Sequence, residues 1–206
     1  GASWPEYRDF RANLRSFESI VAGGAIPVYV GESGNVERVF GLVVSENYFH
    51  ALGVRPALGR LASEAEMSES AGNPFAIISY GLWQRRYGGD PGAIGRPLRV
   101  NGADLTIAAI VPDEFQGTTL GLQFDVYVPV GYAPLATAAG RSIDKRAVRG
   151  LSVLGRLPDG ISRSQAQAEV DGLMAQLQSA YPAENAKVRA EVLPFWQSPR
   201  GPQRIA

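Results

Sequence analysis

The chain has no cysteine, so it can form neither a disulfide nor a thiolate metal site. That leaves its compartment open, since an extracytoplasmic domain can do without disulfides. It has one histidine, His50. A metal centre needs further nitrogen or sulfur ligands, and an acid–base histidine needs an orienting partner. His50 therefore reads as a surface or satisfied histidine. Lysine is nearly as scarce: Lys145 and Lys187 are the only two, and arginine supplies the other basic side chains. Twenty basic and twenty acidic residues cancel to a formal net charge of zero. A nucleic-acid surface needs an excess of positive charge, so nucleic acid is excluded as a partner.

Long apolar stretches are missing too. No run of eighteen or more apolar residues occurs, so no segment of this sequence is expected to cross a bilayer as a helix. No signal peptide is evident, and the chain reads as a piece cut from a longer membrane protein. There is no phosphate-cradling Gly-x-x-x-x-Gly-Lys-Ser/Thr loop, so ATP is not expected to bind here. Ser79-Tyr80-Gly81 lacks the preceding glycine that a nucleophile elbow needs. Glu64, Glu66 and Glu69 cluster, but on a polar stretch where a solvated face is the default. Trp83 and Trp196 could stack on a ligand, although core packing or a contact between lobes explains tryptophan better, given how much area it buries. The sequence thus offers no catalytic residue, no cofactor-binding residue and no metal ligand, and the expectation is that the chain is not an enzyme.

What is present is a folding pattern. At 206 residues, with 45% hydrophobic and 19% charged side chains, the chain can bury a proper core. Ser3 and Glu6 have capping-box spacing, and Tyr7, Phe10, Leu14 and Phe17 follow on one helical face. Ile26, Val28 and Val30 alternate as a strand that Pro27 places at an edge or at its start. A turn over Gly31–Asn35 leads to a second strand, Val36–Val44, after which Ser45 is expected to cap a short helix stopped by Gly53. Ser63–Pro74 reads as a loop or short exposed helix.

The stretch from Ala76 to Pro112 is the most legible. Ala76-Ile77-Ile78 is a short strand, Ser79 is placed to cap a helix carrying Leu82, Trp83 and Tyr87, and Gly88-Gly89 stops it. Asp90-Pro91 starts a turn, and Asn101-Gly102 joins two β-prone runs, the strongest short signal for a hairpin. Asp125–Val130 is another strand. Ala133–Val148 has no clean period. From Gly150 a strand is followed by the Asp159-Gly160 turn, a Ser162/Gln165 capping box and a helical stripe of Ala166, Val170, Leu173, Leu177 and Tyr181. Val188, Ala190 and Val192 then alternate as a final strand, giving a βαβ-sized unit. Pro194–Ala206 reads as a linker.

By periodicity the fold class is α+β with an insertion. Several blocks also resemble one family: Leu82-Trp83-Gln84-Arg85-Arg86-Tyr87-Gly88-Gly89-Asp90-Pro91, Ile94-Gly95-Arg96, Asn101-Gly102, Val44-Ser45-Glu46-Asn47-Tyr48-Phe49, Gly53-Val54 and Gly59-Arg60. In this order they resemble the extracytoplasmic, periplasmic core domain of MacB/FtsX-type ABC transporter permeases, most of all the large permeases common in acidobacteria. The resemblance implies a porter-like lobe built from both ends of the chain, residues 1–60 and 146–197. A second, mixed α/β lobe, residues 61–145, is inserted in the middle, and residues 198–206 form a juxtamembrane linker. It implies a non-catalytic domain at the extracytoplasmic face of the inner membrane, coupling ATPase-driven movement to periplasmic substrate or partner handling. The partners it implies are the flanking transmembrane helices of the same permease, a cytoplasmic ABC ATPase, a second permease copy and a periplasmic adaptor. The alternative from another class is a self-standing periplasmic ligand-binding module; a hydrolase with an unrecognised site ranks last.

Overall fold

The computed structural model describes residues 1–32, 34–68, 72–119, 121–137 and 143–197. The expected linker over 198–206, Glu69, and part of the aperiodic stretch over 133–148 lie outside the described residues. In chain order the strands are β1 (Ala2–Ser3), β2 (Ser19–Val30), β3 (Glu37–Val44), β4 (Leu58–Gly59), β5 (Phe75–Ile78), β6 (Pro97–Val100), β7 (Ala103–Ile110), β8 (Val126–Pro129) and β9 (Arg149–Arg156). The α-helices are α1 (Trp4–Asn13), α2 (Tyr48–Ala51), α3 (Glu64–Ser68), α4 (Tyr80–Tyr87), α5 (Ala133–Ala136), α6 (Arg163–Ala180) and α7 (Pro182–Asn185). The fold is mixed α+β.

The chain divides into two compact units, residues 1–22 with 144–206, and residues 23–143. The sequence-derived boundary at residue 60 differs from this division. Residues 23–60 belong with the inserted unit because their backbone pairs there. β3 runs parallel to β8, from Gly41 opposite Val126 to Val44 opposite Pro129, and β4 pairs with β7. Hydrogen-bonded ladders fix those strands more firmly than their place in the sequence does.

In the terminal unit, α1 begins as the sequence predicts. Ser3 Oγ accepts from the Glu6 amide, and the Glu6 side chain accepts from the Ser3 amide. Pro5 sits in the first turn, where its missing N–H costs nothing. Tyr7, Phe10 and Leu14 are buried, as are Ala166, Val170, Leu173, Met174 and Leu177 of α6. Tyr181, expected in the same stripe, is 41% exposed, and its ring lies under the Arg146 guanidinium at 3.8 Å. A cation over the ring face supplies the contact that core packing would have given. Past the end of α1, the Glu169 carboxylate accepts from the amides of Arg15 and Ser16, tying α6 to that turn. β9 pairs antiparallel with β1.

The expected last strand is not one. Val188, Ala190 and Val192 have a strand's alternation, but no neighbouring strand pairs with them. The backbone there is held by two α6 glutamines. Gln178 Nε2 donates to the Val188 carbonyl at 2.8 Å, Gln167 Nε2 donates to the Ala190 carbonyl at 3.0 Å, and Gln167 Oε1 accepts from the Val192 amide at 2.6 Å. Side-chain amides stand where a ladder was expected.

The inserted unit is built on a sheet ordered β2-β3-β8-β5-β7-β4, with β6 pairing β2 and β7. Its core gathers Val28, Val30, Val39, Ile78, Leu82, Val100, Leu105, Ile107, Val126 and Val128. α4 is capped at Ser79, whose Oγ accepts from the Leu82 amide, and ends at Gly88 in the left-handed conformation (φ 61°). α2 departs in one detail. Its cap position is Asn47, which makes no side-chain capping bond, and Ser45 Oγ donates to Asn47 Oδ1 instead. A Ser63/Glu66 capping box, unremarked in the sequence, starts α3, and Met67 of that helix is buried.

The β6–β7 hairpin turns through Asn101 (φ 49°) and Gly102 (φ 88°), the backbone of a type I′ turn. Asn101 also works at a distance. Its Oδ1 accepts from the Tyr29 amide and its Nδ2 donates to the Ala136 carbonyl. A Cβ at 102 would meet no atom within 4 Å, so a substitution there reports chiefly backbone strain. Gly102→Val should destabilise the chain by about 1 kcal/mol or more, because a β-branched residue resists positive φ. A thermal melt unchanged within error would contradict the turn.

Candidate functional site

Several polar or open features could carry chemistry. In the terminal unit, the Glu6 carboxylate is 1% exposed and accepts from Arg149 Nη2 at 2.7 Å, Arg149 Nε, Asn185 Nδ2 at 2.8 Å and the Ser3 amide at 2.8 Å. Burial pushes this carboxyl up, but the bonds from Arg149, Ser3 and Asn185 together outweigh it and hold Glu6 below the ordinary 4.5. With every partner a donor, the carboxylate is locked as an anion. That arrangement ties α1 to β9 and α7; it does not move protons.

In the inserted unit, Ser79 Oγ donates to Asp125 Oδ1 at 2.8 Å, Arg85 donates to Asp125 Oδ2 at 3.0 Å, and Arg85 also reaches Glu37 at 3.1 Å. A serine beside a carboxylate suggests a nucleophile. However, Ser79 Oγ is also the cap of α4, and it donates directly to a carboxylate that Arg85 already pairs, with no imidazole between them to act as base. His50 itself is exposed at the end of α2. Glu66, of the sequence's acidic cluster, caps α3 and takes both Arg60 Nη groups, which hold its carboxyl at about 2; Glu64 is exposed. Among the described residues no group of histidine, cysteine, aspartate or glutamate is arranged to hold a metal ion.

Behind β8, Tyr48, Phe49, Phe115, Phe124 and Tyr127 form an aromatic cluster, with Phe49 and Tyr127 edge to face at 5.5 Å. Tyr48 Oη bonds the Thr118 hydroxyl at 2.9 Å, and burial pushes its phenol up to about 12. Tyr127 Oη is buried without a partner among the described residues, and burial likewise raises it. Both phenols stay neutral, so this is packing. Trp83 is half-buried and spends its indole N–H on the Asp90 carbonyl at 2.8 Å.

An apolar cavity of about 500 Å³ opens in the terminal unit, lined by Phe10, Leu14, Phe17, Ile20, Val170 and, from the tail, Phe195 and Trp196. Phe195 and Trp196 are 42% and 49% exposed. Arg163 and Glu191 are the charged residues of its lining. Trp196, weighed from the sequence as a residue that could stack on a ligand, is part of this lining, with Phe195 beside it in the stretch expected to be a linker. A smaller hollow of about 240 Å³ in the inserted unit is lined by Glu32, Arg86, Tyr87 and Arg99, among others, with Arg99 paired to Asp104. No helix among the described residues is long and apolar enough to cross a membrane.

The family is shown by sequence: the chain belongs to the MacB-like periplasmic core domain family, whose model matches residues 1–173. No curated protein matches it significantly. Among solved structures, the periplasmic region of MacB from Actinobacillus actinomycetemcomitans is similar at a TM-score of 0.65 and 13% identity, covering 90% of this chain and 77% of that one. A domain of a permease protein from Porphyromonas gingivalis gives 0.65 at 14% identity, covering 94% and 82%. The extracellular domain of the noncanonic ABC-type transporter YknZ from Gram-positive bacteria gives 0.64 at 13% identity, covering 89% and 86%. At such identities the likeness is one of fold.

Proposed function

We propose that the chain is the non-catalytic extracytoplasmic domain of an ABC transporter permease, carrying movement driven by a cytoplasmic ATPase to a substrate or partner outside the membrane. The observation that supports it most is the family match over residues 1–173, joined to a fold in which residues 1–22 and the described residues from 144 onward belong to the same unit. A domain held between two transmembrane segments needs its ends in one body, so that a push on either reaches the same rigid element. The proposed partners are flanking transmembrane helices, a cytoplasmic ABC ATPase, a second permease copy and a periplasmic adaptor. No residue is assigned a catalytic, cofactor or metal role. The cavity of about 500 Å³ favours one second reading, a periplasmic ligand-binding module.

Placement is tested with a unique thiol, which a chain without cysteine makes simple. In the full-length permease, freed of cysteine elsewhere, Arg55→Cys should react with a membrane-impermeant maleimide on intact spheroplasts; Arg55 is exposed. Labelling only after lysis would contradict an extracytoplasmic position.

A further inference from the structure

In an extended chain the N–H and C=O of one residue point to the same edge, and those of the next residue to the opposite edge. The bonds from Gln178 and Gln167 engage Val188, Ala190 and Val192. Gln167 alone spans the Ala190 carbonyl and the Val192 amide, as one residue of a parallel strand would. On the edge toward α6 the Val188 and Ala190 carbonyls and the Val192 amide are therefore engaged by the two glutamines. The backbone groups of Arg189 and Glu191 belong to the other edge and make no hydrogen bond among the described residues. Both residues are exposed. Unpaired backbone groups of this kind, outside any ladder, are a template for an added strand.

The same segment walls the apolar cavity, which takes Ala190, Val192 and Leu193 into its lining. Pairing sites and side-chain space thus adjoin. Charge narrows the occupant. Arg163 and Glu191 line the cavity, and Lys187 and Arg189 are exposed on the segment that walls it, so the site and its rim carry three cations and one anion. None of the four has a side-chain ion pair among the described residues.

We propose that Val188–Leu193 is a docking edge for an extended peptide of another protein, one that alternates acidic with apolar residues. Its backbone pairs with Arg189 and Glu191, its apolar side chains enter the cavity, and its carboxylates meet Lys187, Arg189 and Arg163. The site lies within the terminal unit and does not depend on the transport reading.

The probe is a blocked nine-residue peptide alternating glutamate with leucine, titrated into the 206-residue chain and followed by Trp196 fluorescence and calorimetry. Two N-methylated versions carry the test. A strand pairs through one edge only, so methylating one alternate set of amides should weaken binding about tenfold or more, while methylating the other set leaves it within about twofold. Glu191→Pro removes an edge donor and should weaken binding about tenfold relative to Glu191→Ala, which keeps the donor. If Glu191→Pro fails to fold, the methylated pair still decides. Equal loss with both methylated peptides, or no binding by the parent peptide, overturns the proposal. So does binding of dodecanoate in place of the peptide, which would make the cavity an amphiphile site. Self-association that Glu191→Pro abolishes would assign the edge to a second copy, and would overturn it equally.

Discussion

Glu6→Ala should cost the fold about 3 kcal/mol or more, one of the largest effects of any single side chain in the terminal unit. The reason is what remains behind. Arg149 has a side-chain exposure of only 24%, and it would lose a bidentate partner, while Asn185 and the Ser3 amide would lose an acceptor. A buried charge without its counter-ion is far costlier than the absence of both. Glu6→Ala/Arg149→Ala should therefore cost less than the two single changes summed, as a double-mutant cycle in urea would show. An additive cycle would mean that the pair does not act as a unit.

The same pair sets an acid limit. Because the native carboxyl lies below 4.5, its contribution is fully present above that value and is lost as pH falls through the depressed native value. Stability should thus decline below about pH 4.5 in the parent chain. The decline should be shallower in Glu6→Ala. Parallel pH profiles would contradict this assignment.

Gly59→Ala is expected to be as damaging for the inserted unit, for a reason of space. Gly59 holds φ 78°, and a Cβ there would lie 2.3 Å from the Ala108 carbonyl oxygen and 3.0 Å from Ala109 Cα. Those are backbone atoms of β7, a strand held by β5 and β6 as well as β4, and they cannot withdraw as a flexible side chain would. Strain of the left-handed conformation adds to the clash. The cost should be about 3 kcal/mol or more, which for a chain of this size lowers Tm by roughly 6–12 °C. Gly102→Ala is the control, with φ 88° and no atom within 4 Å; it should show the strain alone, about 1 kcal/mol. Equal losses at both sites would remove the steric account.

Local chemistry was legible wherever it was strong. Ser3/Glu6, Ser162/Gln165, Ser79 with Gly88, and Asn101-Gly102 each satisfy backbone groups within a few residues, so the sequence alone names the element and its end. What was illegible depends on distant partners. Residues 23–60 join the inserted unit through pairing with β8 and β7, which no local pattern announces. Val188–Val192 has a strand's period, but Gln167 and Gln178 reached its backbone before any strand did. The Glu6–Arg149–Asn185 cluster joins residues more than a hundred positions apart, and only its capping-box half could be read. The cavity was hidden for the same reason, its wall coming from α1, β9, α6 and the tail together.

Coupling between ATP and this domain is the central claim, and pulsed electron–electron resonance between two copies measures it directly. Ala175 is exposed on α6 of the terminal unit, and Arg55 is exposed in the inserted unit. A nitroxide on Ala175→Cys or Arg55→Cys, in the full-length permease freed of cysteine elsewhere, reports each unit against its copy. The distance distributions should shift by several ångströms between the nucleotide-free and ATP-trapped transporter for both labels. Distributions that superimpose in the two states, with ATP turnover intact, would show that the domain does not receive the movement.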